Sequence, residues 1–195
     1  MGAATGTWAG GFWHPVLMAS NPTKRLVLLR HAKSAWLDVP DHERPLAKRG
    51  QRDAPGAGRW LRDAGYVPDL VVCSSAQRTR ETWELAAGEL VPAPPVRFER
   101  RVYEASTDQL LDLVGETPDG VETLLVVGHE PTMTQLTLLL AEDTINGSDG
   151  DTLERVRLKF PTAAIAVLPF TGGWSELGPG GAQLADFVVP GDYNA

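Results

Sequence analysis

Short runs of consecutive apolar residues alternate along the chain with longer segments in which apolar residues recur every three or four positions. Runs of this kind are typical of strands that are buried on both faces of a parallel sheet. The predicted strands are Arg25–Leu29, Asp69–Cys73, Val96–Phe98, Thr123–Val127, Ala163–Leu168 and Leu184–Val189.

The segments between these runs have the apolar spacing of helices. After the first strand, four apolar residues follow the pattern i, i+3, i+4, i+7: Ala57, Trp60, Leu61 and Ala64. They predict a helix over Leu46–Ala64, which Pro55 is expected to bend or start and Gly65 to end.

Three further helices are predicted from start signals. Ser74 with Gln77 three residues later has the spacing of a capping box, and so does Ser106 with Gln109. The first of these helices is expected to bury Trp83, Ala86, Ala87 and Leu90. Pro131 suits the first turn of a fourth helix.

Strands that alternate with helices predict an α/β fold, here a three-layer αβα domain with a mostly parallel sheet. The segment Glu142–Asp151 is rich in Gly, Asp and Asn and is predicted as a loop. We assign residues 23–195 to a single domain. Residues 1–22, whose apolar run is broken by glycines, His14 and Pro15, are assigned to an irregular N-terminal extension.

The charge of the chain restricts its partners. Its 195 residues carry a formal net charge of −7, which disfavours nucleic acid and requires local arginines for any anionic substrate. The one cysteine, Cys73, forms no internal disulfide and is expected to be a core thiol in a reducing compartment. No apolar stretch reaches the ~18 to 20 residues of a membrane span, and the first twenty residues lack the basic start of a signal peptide. We therefore expect a cytoplasmic protein without a membrane partner.

Polar side chains follow three of the predicted strands. Arg30 and His31 follow the first strand, the segment from Ser74 to Arg78 follows the second, and His129 follows the third. If these strands are neighbours, the side chains converge at the carboxyl edge of the sheet, where α/β proteins bind ligands. Two arginines, two histidines and a helix start indicate a site for a phosphate or a carboxylate. The alternative is that each residue has only a structural role.

Four segments, in this order and spacing, resemble the histidine phosphatase superfamily: LVLLRHAKSAW, RPLAKRG, SSAQRTRET and VVGHEP. They most resemble its small branch of SixA-type phosphohistidine phosphatases, and the resemblance runs from about Arg25 to Phe170. It implies a phosphoglycerate mutase-like fold and a phosphatase that needs no metal or cofactor. Ala32 stands where the superfamily has glycine, and we expect its extra methyl group to be tolerated unless φ is positive.

The resemblance also implies a role for individual residues. His31 matches the nucleophile that forms a phosphohistidine enzyme, Arg30 and Arg78 match the two phosphate-binding arginines, and His129 matches the second histidine of the pocket. Glu104 falls where many members have an acidic proton donor, although an exposed or salt-bridged glutamate is the alternative.

Other polar residues are candidates for supporting roles. The Ser34 hydroxyl could donate to a phosphate oxygen, and Thr162 could support the pocket from the PTAA turn. A basic stretch is predicted to be a solvated face, or alternatively to admit an anionic substrate: Arg44, Lys48, Arg49 and Arg52. Four histidines and one cysteine have no metal-binding spacing, so no metal site is expected.

These observations favour one function and leave two alternatives. The favoured function is hydrolysis of phosphohistidine on a protein. A phosphomonoesterase acting on a small phosphorylated metabolite is the alternative enzyme, and it would depend strongly on Glu104. A non-catalytic module that binds a phosphorylated ligand is the third possibility. A mutase is disfavoured, because the chain has little length for insertions that would enclose a bisphosphate. The oligomeric state is not predicted.

Overall fold

The computed structural model describes residues 23–141 and 149–193, so the predicted extension at residues 1–22 lies outside the described residues. The strands are β1 (Thr23–Arg30), β2 (Leu70–Ser74), β3 (Val96–Glu99), β4 (Thr123–Gly128), β5 (Ile165–Thr171) and β6 (Asp186–Val188). The helices are α1 (Lys48–Asp63), α2 (Gln77–Ala87), α3 (Thr107–Gly115), α4 (Thr132–Leu140) and α5 (Asp149–Leu158).

The strands form one sheet in the order β3-β2-β4-β1-β5-β6. Strands β3, β2, β4 and β1 run parallel, while β5 is antiparallel to β1 and to β6. This sheet confirms the predicted α/β class with mostly parallel strands. Strand β1 lies between β4 and β5, so its carboxyl end is surrounded by other elements.

Helices cover both faces of the sheet, which explains the uninterrupted apolar run in β1. Leu26 and Leu28 point into a core shared with α3, α4 and α5, whereas Val27 and Leu29 point into a second core shared with α1 and α2. All four side chains are fully buried. Burial of each such side chain stabilises the fold by roughly 1.5 to 3 kcal/mol, so β1 is firmly placed between the layers.

The two predicted capping boxes have opposite outcomes. Ser106 and Gln109 form theirs at the start of α3, where each side chain accepts a hydrogen bond from the other residue's backbone N–H. The prediction for Ser74 and Gln77 was wrong. Ser74 is the last residue of β2, and α2 follows Ala76 without a side-chain cap.

Three predicted helix boundaries also differ from the structure. Helix α1 begins at Lys48, and Pro55 lies in its interior instead of starting it. Leu90 is buried, as expected, but it follows the end of α2. Residues 142–148 of the predicted loop Glu142–Asp151 lie outside the described residues. From Asp149 onward the prediction was wrong, because α5 begins there and buries Leu153 and Val156. Within the described ranges, no helix is both long and apolar enough to cross a lipid bilayer.

Candidate active site

The candidate site lies where β1, β2 and β4 end side by side. Arg30 of β1 is in register with Gly128 of β4, and the His31 N–H donates to the Gly128 carbonyl at 3.0 Å. His31 and His129 therefore follow adjacent strand ends, and their ring centroids are 5.3 Å apart. Helix α2, which follows β2, brings Arg78 to the same place.

His31 forms the floor of the pocket. Its side chain is 8% exposed, and its Nδ1 lies 2.7 Å from the Ala32 carbonyl oxygen. Because a carbonyl can only accept, Nδ1 carries the proton and Nε2 carries the lone pair when the ring is neutral. Burial lowers the pKa of His31 to about 4, and the charges of Arg78, Arg30 and Arg44 add to this effect. The ring is therefore neutral at physiological pH.

His129 lies beside His31 and is held by Ser74. Its Nε2 is 2.8 Å from Ser74 Oγ, while its buried Nδ1 has no hydrogen-bond partner among the described residues. Burial lowers the pKa of His129 to about 3, with further lowering by His31 and Arg78. When the Ser74 hydroxyl donates to Nε2, Nδ1–H is left as a donor for a bound oxyanion. The residue predicted as a helix cap thus orients the second histidine.

Arg30 is anchored on the side of the pocket near Phe160. Its Nη1 donates to the Phe160 carbonyl at 2.6 Å, and its buried Nε has no partner among the described residues. Glu130 is electrostatically coupled to this guanidinium. Burial raises the pKa of the Glu130 carboxyl, although a hydrogen bond from Thr134 and the charge of Arg30 oppose this. The Arg30 guanidinium keeps donors available for a ligand.

Arg78 is fixed by Asp41, a residue that the sequence did not indicate. Arg78 Nη1 donates to the Asp41 backbone carbonyl at 2.6 Å, and Nη2 donates to the Asp41 carboxylate at 3.0 Å. Burial alone would raise the pKa of Asp41, but hydrogen bonds from Tyr103 and Arg44 and the charge of Arg78 lower it to about 2. Asp41 is therefore ionised at neutral pH and holds the guanidinium in one orientation.

Arg44 separates from the basic stretch in which the sequence placed it. It is buried, whereas Lys48, Arg49 and Arg52 are exposed. Arg44 Nη2 donates to Ser34 Oγ at 2.8 Å and Nη1 donates to Asp41 at 2.8 Å. Since the Ser34 oxygen accepts from Arg44, its own O–H remains free to donate to a ligand.

Glu104 lies at the rim of the pocket and not on its floor. Its side chain is exposed and follows Tyr103, whose ring contacts His129 edge-on at 5.5 Å. Glu104 has a φ of +61°, in the left-handed region that side chains other than glycine rarely adopt, and such strain is concentrated at functional sites. Within the described residues, Glu104 makes no hydrogen bond or ion pair. It lines a groove of about 510 Å³ beside the pocket.

Backbone contacts support His31 from two sides. The Ala32 N–H donates to Thr82 Oγ1 at 3.0 Å, and Ala32 does not have a positive φ. The Ala163 N–H donates to the carbonyls of Arg30 and His31 at 3.1 and 3.2 Å. The PTAA turn thus acts through the Ala163 amide, and Thr162 makes no side-chain hydrogen bond in the described part of the chain.

Comparisons with known proteins show the family of this chain. Residues 26–116 match the family model described as histidine phosphatase superfamily (branch 1). An uncharacterized protein of Mycobacterium tuberculosis is 45% identical over 163 residues, which cover 83% of this chain and 99% of that protein. The chain belongs to the histidine phosphatase superfamily. It is a phosphatase by that membership, and the predicted resemblance is confirmed.

Solved structures show the same fold as this histidine phosphatase. A protein of Nakamurella multipartitia, provisionally named phosphohistidine phosphatase SixA, is 35% identical with a TM-score of 0.77; the match covers 88% of this chain and 98% of that one. Its counterpart from Agrobacterium tumefaciens is 29% identical with a TM-score of 0.71 and is covered completely, again over 88% of this chain. These likenesses confirm the phosphoglycerate mutase-like architecture.

The lowered histidine pKa values predict the pH dependence of this histidine phosphatase. In the reaction that the family resemblance implies, neutral His31 attacks phosphorus, and the pKa of His31 is about 4. We expect kcat/KM for an aryl phosphate, corrected for ionisation of the substrate, to be level between pH 5 and 8. It should fall about tenfold per pH unit below about pH 4. A pH–rate profile checks this, and a decline that begins near pH 6.5 would contradict it.

The same buried histidines also affect stability in acid, which requires a control. Their folded pKa values of about 4 and 3 lie below the unfolded value of 6.5, so the unfolded chain binds more protons between these limits. Stability should therefore decrease as the pH falls below 6.5. Circular dichroism at each pH separates unfolding from protonation of His31.

Proposed function

We propose that this phosphatase hydrolyses phosphohistidine on a protein through a covalent phosphoryl-His31 intermediate, without a metal ion. The observation that carries the proposal is the hydrogen bond from His31 Nδ1 to the Ala32 carbonyl at 2.7 Å. This bond fixes the tautomer and directs the lone pair of Nε2 into a pocket lined by Arg30, Arg78 and His129. A fixed, neutral imidazole is the form that attacks phosphorus.

The charges around His31 suit the transferred phosphoryl group. The transition state spreads negative charge over three oxygens, so positioned donors provide most of the catalysis. Arg30 Nε and His129 Nδ1 are buried without a partner among the described residues, so they are available to these oxygens. Arg78 and Ser34 add further donors. Arginine binds two oxygens at once and stays charged at any physiological pH.

The position of Glu104 favours phosphohistidine over an ordinary ester. An alkyl ester needs an acid that protonates its leaving oxygen, whereas an imidazole leaves more easily. Glu104 is exposed at the rim and contacts neither His31 nor His129 through a described hydrogen bond. A phosphohistidine substrate therefore places the smaller demand on this carboxylate.

The test compares a phosphohistidine peptide with a phosphoserine peptide in the presence of a chelator. We expect wild-type enzyme to hydrolyse the phosphohistidine peptide faster. Glu104→Gln should lower hydrolysis of each peptide by less than about tenfold, because Glu104 makes no described hydrogen bond to either histidine. Initial rates of phosphate release give both numbers.

Asp112→Asn is the matched control, because Asp112 is exposed in the same groove as Glu104. It should leave both rates unchanged. Faster phosphoserine hydrolysis that collapses in Glu104→Gln would instead identify a phosphomonoesterase. Loss of activity in the chelator would reject the metal-free mechanism.

A further inference from the structure

Asp41 presents a carboxylate at the mouth of the pocket. Its side chain is 52% exposed, while Arg78, to which it is bonded, and His31 on the floor are both buried. A phosphoryl group that contacts Arg78 is close to Asp41, because both would contact the same guanidinium. The atom that links this phosphoryl group to the rest of the substrate therefore comes within reach of the exposed Asp41 carboxylate.

The Asp41 carboxylate is held in place but retains an acceptor position. Oδ1 accepts from Arg44 Nη1 at 2.8 Å, and Oδ2 accepts from Arg78 Nη2 at 3.0 Å and from Tyr103 Oη at 2.8 Å. A carboxylate offers about four lone-pair positions, two on each oxygen. Oδ2 is saturated, so the free position is on Oδ1, which can accept one more hydrogen bond.

Phosphohistidine and phosphate esters differ in what they offer this acceptor. In a protonated phosphohistidine, one ring nitrogen carries the phosphoryl group and the other carries an N–H donor. If the ring keeps that proton, it leaves as neutral imidazole; without it, the leaving group would be the far more basic imidazolate. The group that leaves from an alkyl or aryl phosphate has no such N–H.

We propose that Asp41 Oδ1 accepts the ring N–H of the departing imidazole and thereby selects phosphohistidine over phosphate esters. This inference rests on the proposed function. A charge-assisted hydrogen bond to the protonated ring stabilises the form that reacts. The same hydrogen bond orients the substrate ring at the pocket mouth. Asp41 therefore determines specificity for phosphohistidine in addition to positioning Arg78.

Atoms and charges balance without a general acid in the first step. A bond forms between phosphorus and His31 Nε2 as the bond to the substrate nitrogen breaks, and the electron pair of the broken bond stays on that nitrogen. The substrate ring keeps its N–H, which donates a hydrogen bond to Asp41. His31 keeps its Nδ1–H, which donates to the Ala32 carbonyl. Water then attacks phosphorus, both water protons remain on the released phosphate, and His31 Nε2 recovers its lone pair.

The experiment measures the ratio of two rates in Asp41→Asn. We compare kcat/KM for a phosphohistidine peptide with kcat/KM for an aryl phosphate, which reports on the phosphoryl pocket alone. Both rates should fall, because the neutral Asn side chain no longer compensates the positive charge of Arg78 or holds its guanidinium as firmly. The phosphohistidine rate should fall roughly 10- to 100-fold further, as expected for loss of one charge-assisted hydrogen bond. Asp38→Asn, an exposed change in the same loop, should leave both rates unchanged.

Equal losses on the two substrates would overturn the proposal and leave Asp41 only as a support for Arg78. Wild-type enzyme that hydrolyses aryl phosphate but not phosphohistidine would instead overturn the proposed function and this inference together. The two failures are therefore distinguishable in one set of assays.

A measurement on wild-type enzyme covers the case in which Asp41→Asn does not fold. The phosphoenzyme is formed from the aryl phosphate, and its decay is followed with free imidazole or 1-methylimidazole as the acceptor. By reversal of the first step, imidazole should accelerate decay several-fold more than 1-methylimidazole, which has no ring N–H to donate to Asp41. Equal acceleration by the two acceptors would overturn the proposal.

Discussion

His31→Ala is expected to reduce phosphate release from any substrate by on the order of 10⁴-fold or more, because it removes the atom that attacks phosphorus in the proposed mechanism. The neighbouring arginines and His129 would still bind the substrate. The measurement is initial phosphate release from an aryl phosphate and from a phosphohistidine peptide, together with tungstate binding. We expect activity to disappear while binding of the oxyanion remains.

A control for His31→Ala is replacement of the half-buried His42, a histidine of the rim. His42 bonds to Ser75 at 2.9 Å and lies outside the group of side chains that face His31. His42→Ala should lose less than about tenfold. Comparable losses in the two variants, or residual activity of His31→Ala near the wild-type level, would show that His31 is not the nucleophile.

Arg78→Lys is expected to lower kcat by roughly 10² to 10³-fold, although the charge is retained. The lysine ammonium lacks the planar fork that bonds both to Asp41 and to a phosphoryl oxygen. Steady-state kinetics with an aryl phosphate gives kcat and KM separately. The substitution weakens stabilisation of the charged transition state more than binding of the substrate, so kcat should change more than KM.

Arg80→Lys is the matched control for Arg78→Lys. Arg80 lies two residues further along α2 and is exposed, with its guanidinium over the Phe98 ring. We expect its rate to remain within about twofold of wild type. If Arg78→Lys behaved in the same way, the Arg78 fork would have no special role in the reaction.

The strands and the central part of the site were predictable because local patterns encode them. A short run of consecutive apolar residues such as β1 is best buried on both faces as a central strand of a sheet. Polar residues that follow adjacent parallel strands meet at the same edge of that sheet. His31 and His129 therefore came together as expected, 5.3 Å apart. The start of α3 was predictable for the same reason, since its capping box is a contact within four residues.

The remaining parts depend on contacts that no local pattern reveals. Asp41 lies in a short 3-10 turn, Asp41–Glu43, of the loop between β1 and α1. Its importance arises from hydrogen bonds to Arg78 and Tyr103, which are 37 and 62 residues away in the sequence. Ser74 had a plausible local role as a cap, but its bond to His129 spans 55 residues. Arg44 belongs to the RPLAKRG segment that carries the family resemblance, but no local pattern indicates that its side chain is buried.

The central claim is the phosphoryl-His31 intermediate, and rapid quenching tests it most directly. Enzyme is mixed with phosphohistidine peptide labelled in the phosphoryl group, quenched in alkali within one turnover and digested, and the labelled peptide is sequenced by mass spectrometry. We predict an acid-labile, alkali-stable phosphoryl group on His31 that is absent in His31→Ala. A label on another residue, or full turnover by wild-type enzyme with no covalent label at any quench time, would contradict the mechanism.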